Sequence, residues 1–180
     1  MEDNFPIIET DRLVLRQLSN NDLENVFKGL SNPKVIQYYG ISFKTLEATK
    51  EQMDWFKNLE TEGTGIWWAI ESKKTGEFYG GGGFNNMDKM NRKAEIGFWL
   101  LPEYWGMRIM KEAMEVICTY GFEKLELHRI EGFVESENKN CKSGLKKLDF
   151  DYEGTLKDDE IKNGRYISVD IYSKINYSNK

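Results

Sequence analysis

The stretch FWLLPEYWGMRIMKEA, residues 98–113, carries the most definite chemistry in this 180-residue chain. An apolar strand pattern runs up to Pro102, which ends strand pairing, and Gly106 permits a tight bend. A helical pattern follows at once. The amides of Met107, Arg108, Ile109 and Met110 then fall in a first helical turn. There they have no intrahelical partner, and the helix dipole is positive. A helix start of this kind accepts phosphate. Strand–turn–helix joints that bind nothing share the pattern, so a phosphate site and a plain connection both stand.

Groups able to move protons are few. Glu95, in AEIGFWL, is either a base or a strand-edge charge that orients a ligand or pairs with arginine. Glu160 closes the acidic run Asp158-Asp159-Glu160, which reads as a solvated loop unless a site gathers it. Cys141 follows Asn138 by three residues. If a helix begins at Asn138, the thiol stands in its first turn, where the positive end lowers its pKa from about 8.5. The alternative for Cys141 is a small packed residue. A nucleophilic-cysteine mechanism has no paired base. With one histidine, His128, and two cysteines, Cys118 and Cys141, outside any CxxC pair, no metal centre is expected.

Elements must hold these groups in place. DRLVLRQL, residues 11–18, reads as a strand through Leu13, Leu15 and Leu18. Ser19 and Asp22 signal a helix start, Leu23, Val26, Phe27 and Leu30 give helical spacing, and Asn32-Pro33 ends it. A second helix is expected from about Thr45 to Leu59. Strands at Trp67–Glu71, Glu77–Phe84 and Arg92–Leu101 suggest an antiparallel meander. The glycines Gly80–Gly83 point to a bulge or tight packing ahead of a ligand contact. Met110, Ala113, Met114, Ile117 and Gly121 share one helical face. Then come a strand at Arg129–Glu135, a short helix at Asn138–Leu148, and strands at Phe150–Leu156 and Tyr166–Ile175, with 157–165 as a loop. The whole reads as one α+β domain with a mixed sheet over residues 1–180. Trp55, Trp67, Trp68 and Tyr166 line an amine pocket or, by default, pack in the core.

Composition narrows the field. Hydrophobic residues make up 39% and charged residues 31%, an ordinary globular balance. Mean hydropathy is −0.63, and no apolar run approaches the roughly 18 residues of a membrane span. The N-terminus, MEDNFPIIETDRL, lacks the apolar stretch of a secretory signal, so a cytoplasmic location is expected. Net charge is −5, which suits a cationic partner and argues against nucleic acid. Lys142, Lys146 and Lys147 cluster, and read as a solvated helix face.

The wording of these segments resembles the GNAT N-acetyltransferase superfamily, in its RimJ/RimL-like branch, over nearly the whole chain. TDRLVLR is similar to the family's opening strand. AEIGFWLLPEYWG is similar to its fourth strand and phosphate loop, often YWGKG in that branch. HRIEGFVESENKNC resembles the fifth strand and the Asn-x-x-Ser after it. LKKLDFDYEG resembles LEKLGFxxEG, and NGRYISVDIYS the last strand. The resemblance implies a mixed, mostly antiparallel sheet splayed between its fourth and fifth strands and flanked by helices. It implies acetyl-CoA as co-substrate: pantetheine against the backbone of Trp99, Leu100 and Leu101, pyrophosphate at Gly106, Met107, Arg108, Ile109 and Met110, and Asn138 as a further contact. It makes Glu160 or Glu95 the base and Cys141, in place of serine, the acid for the leaving thiolate. Arg108 stands where the family has glycine, Met107 where lysine or arginine is common, and Asp149 where LGF has glycine. The acceptor is a primary amine, on a peptide N-terminus or a small molecule. The fold leaves room for a homodimer and involves no membrane. A non-catalytic acyl-CoA-binding regulatory module and a plain phosphate-binding protein remain as alternatives.

Overall fold

Leu13 and Leu15 are both fully buried, as the alternation in DRLVLRQL requires. In the computed structural model, which describes residues 5–177, they lie on the second of eight strands. In chain order these are β1 Ile8–Glu9, β2 Leu13–Gln17, β3 Ile66–Ser72, β4 Phe78–Asp88, β5 Lys93–Leu100, β6 Arg129–Glu135, β7 Asp151–Lys162 and β8 Arg165–Ile175. They form one sheet in the order β1-β2-β3-β4-β5-β6-β8-β7. Every pairing is antiparallel except that of β5 with β6. The two-residue β1 shifts the count, so the splay expected between fourth and fifth strands lies between β5 and β6.

Helices cover both faces. α1 Leu23–Leu30, α2 Pro33–Ile36 and α3 Leu46–Glu62 form one layer. α4 Ile109–Glu123 and α5 Lys139–Lys146 form the other. α3 starts where the Thr45 side chain accepts from the Ala48 amide at 3.1 Å, and ends on Gly63 at φ +66. Two cores result. Leu13, Leu15, Ile96, Ile130 and Tyr172 pack under α4 and α5. Val26, Phe56, Trp67, Trp99 and Leu101 pack under α1–α3.

Three expectations change. Asn32-Pro33 ends α1 but also starts α2, because the Asn32 side chain accepts from Lys34 and Pro33 fits the first turn. Residues 157–165 are not a loop: β7 and β8 run on to a two-residue turn, Asn163-Gly164, at φ +51 and +75. Two positive φ values in an Asn-Gly pair match the twist of a hairpin. Trp67 and Trp68 pack in the core, the default reading, and the change is at Tyr166, which is exposed.

The glycine run answers to both expected causes. Tyr79 is skipped between the rungs Ile70–Gly80 and Glu71–Phe78, a bulge. A Cβ on Gly80 would lie 2.1 Å from the Trp99 carbonyl, and one on Gly83 2.2 Å from the Ile66 carbonyl. Gly83→Ala is therefore expected to cost about 3 kcal/mol, the upper range of overpacking. Gly154→Ala, with open space around it, should stay within about 0.5 kcal/mol. Urea unfolding of the two variants beside the parent measures the difference.

Candidate active site

β5 and β6 pair over three rungs, Lys93–Arg129, Ala94–Ile130 and Glu95–Glu131. Beyond Glu95, β5 stays with β4 and β6 with β8, so the strands part and leave a V-shaped gap. The side of β5 that faces this gap offers free backbone groups. Which residues supply them follows from the β4 ladder. The Leu101 amide donates to the Tyr79 carbonyl at 2.9 Å, so odd-numbered residues of this stretch turn toward β4. Trp99 and Leu101 therefore do not present backbone to the gap, contrary to the sequence expectation. Phe98 and Leu100 do. Counting alternation from one fixed rung would have found Phe98, but the sequence alone does not supply that rung. The Leu100 carbonyl accepts from Trp105 Nε1 at 2.9 Å. That indole is half exposed at the mouth of the gap.

The turn after β5 matches its expected form. Pro102–Tyr104 is a single 3-10 turn, Gly106 takes φ +79, and Arg108 caps α4 at φ +62. The Met107 carbonyl points to Arg12 Nη1 at 3.3 Å, and the Arg108 carbonyl accepts the Glu112 amide. Ile109 is buried, which anchors the helix start, while Gly106, Met107 and Arg108 are exposed and Met110 is half-buried. Among the described residues, no backbone carbonyl takes the amides of Met107, Arg108, Ile109 or Met110. The cradle therefore suits a phosphate. Arg108 and Asp149, the two residues that stand where glycine is usual, both keep left-handed backbone, at φ +62 and +60. The backbone follows the glycine path, and the side chain is added to it.

Side chains divide by face. Ala94, Ile96 and Leu100 point under α4, and Trp99 and Leu101 under α1–α3, so Glu95 and Gly97 share the α1–α3 face. Glu95 is half-buried and accepts from Asn86 Nδ2 at 2.8 Å. Burial, and the charge of Glu95, push the Tyr39 hydroxyl above its ordinary range. Glu95 also sits on the last rung before the gap opens. Glu160 is an exposed residue of β7, opposite Ile167, and not part of a loop.

α5 begins at Asn138, whose side chain accepts from the Cys141 amide at 3.1 Å. Asn138 Oδ1 thus serves as helix cap, and Cys141 stands in the first turn as expected. The expected fall in its pKa does not occur. Burial pushes the Cys141 thiol the other way, up to about 12. Lys142 is not on a solvated face: it binds Asp170 at 3.0 Å. Ser136 and Thr155 also donate to Asp170, at 2.6 and 2.7 Å, which ties α5 to β6, β7 and β8. Among the described residues, no group of three or more His, Cys, Asp or Glu could hold a metal ion. None of the described helices is long and apolar enough to cross a membrane.

With this geometry in hand, comparison with known proteins is specific. Residues 12–151 match the family model for an acetyltransferase (GNAT) domain. YoaA of Bacillus subtilis (strain 168), an uncharacterized N-acetyltransferase, is 36% identical over 170 residues, covering 94% of this chain and 96% of its own. The structure of RimL, a ribosomal alpha-N-protein acetyltransferase, in complex with coenzyme A superposes with a TM-score of 0.85 at 22% identity, over 94% of this chain and 98% of that one. A spermidine N-acetyltransferase from Vibrio cholerae, in complex with CoA and spermine, gives 0.82 at 21% identity, over 92% and 96%. At those identities the two structures share the fold.

A thiol pushed up to about 12 is nearly all protonated at pH 8, with a thiolate fraction of about one in ten thousand. Cys141 should alkylate with iodoacetamide at least about a hundredfold more slowly than a free thiol of pKa about 8.5. Mass spectrometry of the modified peptide over time reads the rate.

Proposed function

The chain belongs to the GNAT acetyltransferase family, and on that premise we propose an acetyl-CoA-dependent N-acetyltransferase that acts on a primary amine by direct attack. One observation carries the reading. The unpaired edge of β5 runs straight into the α4 start, so backbone that can pair with an amide chain leads to amides that can hold its phosphates. The proposed extent is one catalytic domain over the whole chain. The reaction belongs where acetyl-CoA is made, which supports a cytoplasmic setting.

The proposed division of labour uses both faces of the sheet. Gly106–Met110 hold pyrophosphate, and Arg108 adds an exposed positive charge beside it. Phe98 and Leu100 pair with the pantetheine amides, with the Trp105 indole leaving the Leu100 carbonyl. An unpaired amide on the β5 edge then donates to the oxyanion. The amine arrives from the α1–α3 face and must lose a proton. Glu95 is the better placed base, since it stands at the closed end of the gap on that face. Glu160, exposed on β7, is the second candidate. A Cys141 thiol near 12 is a poor acid for a thiolate of about 8.5, an uphill transfer of about 5 kcal/mol. Its role is a hydrogen bond to the leaving sulfur, with water as the proton source.

Thiol release from acetyl-CoA with a panel of amines, beside a CoA titration, tests the reading. Release is expected on at least one primary amine. Binding without release on every amine favours an acyl-CoA-binding module, and no binding removes both. Glu95→Gln should lower kcat by about 10²-fold or more, and Glu160→Gln by less than about threefold. The reverse order would make Glu160 the base. Arg108→Gly should keep the fold and weaken CoA binding about three- to tenfold, more at low salt than at high.

A further inference from the structure

The ammonium of Lys162 is held as a substrate amine would be. Lys162 ends β7, at the hairpin tip. Its Nζ pairs with the Glu135 carboxylate and donates to the Gln37 carbonyl at 2.8 Å. The two side chains are only 23% and 15% exposed, so water does not fully screen the pair. Glu135 is the last residue of β6, and Gln37 caps α2. The acceptor atoms therefore stand on opposite sides of the gap. Both are on the α1–α3 face, since Ile130 and Val134 take the other face of β6 and leave Glu131, Phe133 and Glu135 on this one. Glu95 shares that face. Glu135 lies four residues past the Glu131 rung, about 13 Å along the strand at the usual rise.

We propose that Glu135 and the Gln37 carbonyl form a cation subsite for the second ammonium of the acceptor, filled here by the chain's own Lys162, and that the acceptor class is a polyamine. The inference rests on the reading of this cleft as the acetyl-transfer site. The length fits: a polyamine with one amine beside Glu95 and another at Glu135 spans the uncovered stretch of β6. The competitor is removable. Lys162 follows an irregular stretch of β7 between Leu156 and Glu160, with Asp158 at φ +52, and precedes the Asn163-Gly164 turn. Its withdrawal leaves both cores untouched. An incoming ammonium takes the place of the Lys162 ammonium on Glu135, so displacement never leaves that carboxylate buried without a cation. A polyamine already held by one amine meets the subsite at an effective concentration in the millimolar range, on equal terms with the tethered lysine. Glu131, by contrast, is already taken by Arg129 and Lys93, and Glu153 by Arg129 and Ser173.

Calorimetric titration with butylamine, spermidine and spermine, with and without coenzyme A, tests this on the parent, Lys162→Met and Glu135→Gln. Lys162→Met should bind spermidine and spermine three- to tenfold more tightly and leave butylamine unchanged. Glu135→Gln should weaken both polyamines about tenfold and leave butylamine unchanged. Equal shifts for all three amines, no polyamine binding, or no gain in Lys162→Met overturn the subsite and make Lys162 a structural clasp. Lys162→Gln replaces the Met variant if that one melts well below the parent. Thiol release by the parent on the same amines separates the two ideas. Turnover without the binding pattern rejects the subsite alone. The binding pattern without turnover rejects the transferase reading alone.

Discussion

The parallel pairing of β5 with β6 stops after three rungs, at Glu95–Glu131, and the rest of the molecule is arranged around that stop. Its cause lies in what each strand is tied to. β5 is drawn toward β4 by glycines that allow backbone contact: a side chain on Gly80 would meet the Trp99 carbonyl at 2.1 Å. Trp99 is then buried under α1–α3, against Gly29 and Phe78. β6 is tied instead along its whole length to β8. The two halves of the sheet follow their own twist, and the gap between them exposes backbone that no strand completes. An unsatisfied edge inside a protein is costly, so it is filled when a ligand can pair with it. The Trp105 indole on the Leu100 carbonyl covers part of that edge in the free chain.

Much of this was legible in the sequence because it depends on local rules. Pro102, Gly106 and the apolar period of residues 109–121 specify strand end, bend and helix without tertiary help. The parts that were not legible depend on contacts far along the chain. The acidic run makes residues 157–165 read as a loop. The strand persists there because β8 pairs again with Glu160, Ile161 and Lys162, past an irregular stretch after Leu156. The first-turn position of Cys141 is legible, but its acidity is not. The helix end acts locally, while desolvation comes from packing against the core under α4 and α5, which no spacing rule reports. The role of Phe98 is not legible because backbone direction needs one known rung, and that rung is the Leu101–Tyr79 bond.

On the proposed reading the two faces of the sheet take ligands of opposite charge. Phosphates would meet the α4 start, on the face covered by α4 and α5, where amides and Arg108 are positive. The amine would meet the other face, where Glu95 and Glu135 are negative. Arg129, Lys93 and Lys162 temper the acidic face, so its carboxylates are not uniformly free. This favours Glu95 over its neighbours as base: Glu131 and Glu135 carry cations already, and Glu95 has only an amide from Asn86.

Arg108 and Asp149 show why departures from a family pattern need geometry before they are read as loss. A side chain in the left-handed region costs roughly 1–2 kcal/mol, a penalty that glycine avoids. Both residues accept it, at φ +62 and +60, and both turns keep their shape. Tertiary contacts must supply that energy. For the first turn they are visible: Ile109 is buried beside it, and Arg12 holds the Met107 carbonyl while pairing with Glu112 one helical turn on. For the second, the Phe150 amide returns to the Leu145 carbonyl, and Leu148 and Phe150 are both buried. The turn is thus fixed from behind by Arg12 and α4, and needs no glycine at position 108 to hold its course. What Arg108 changes is the charge that a ligand meets, not the path of the backbone that receives it.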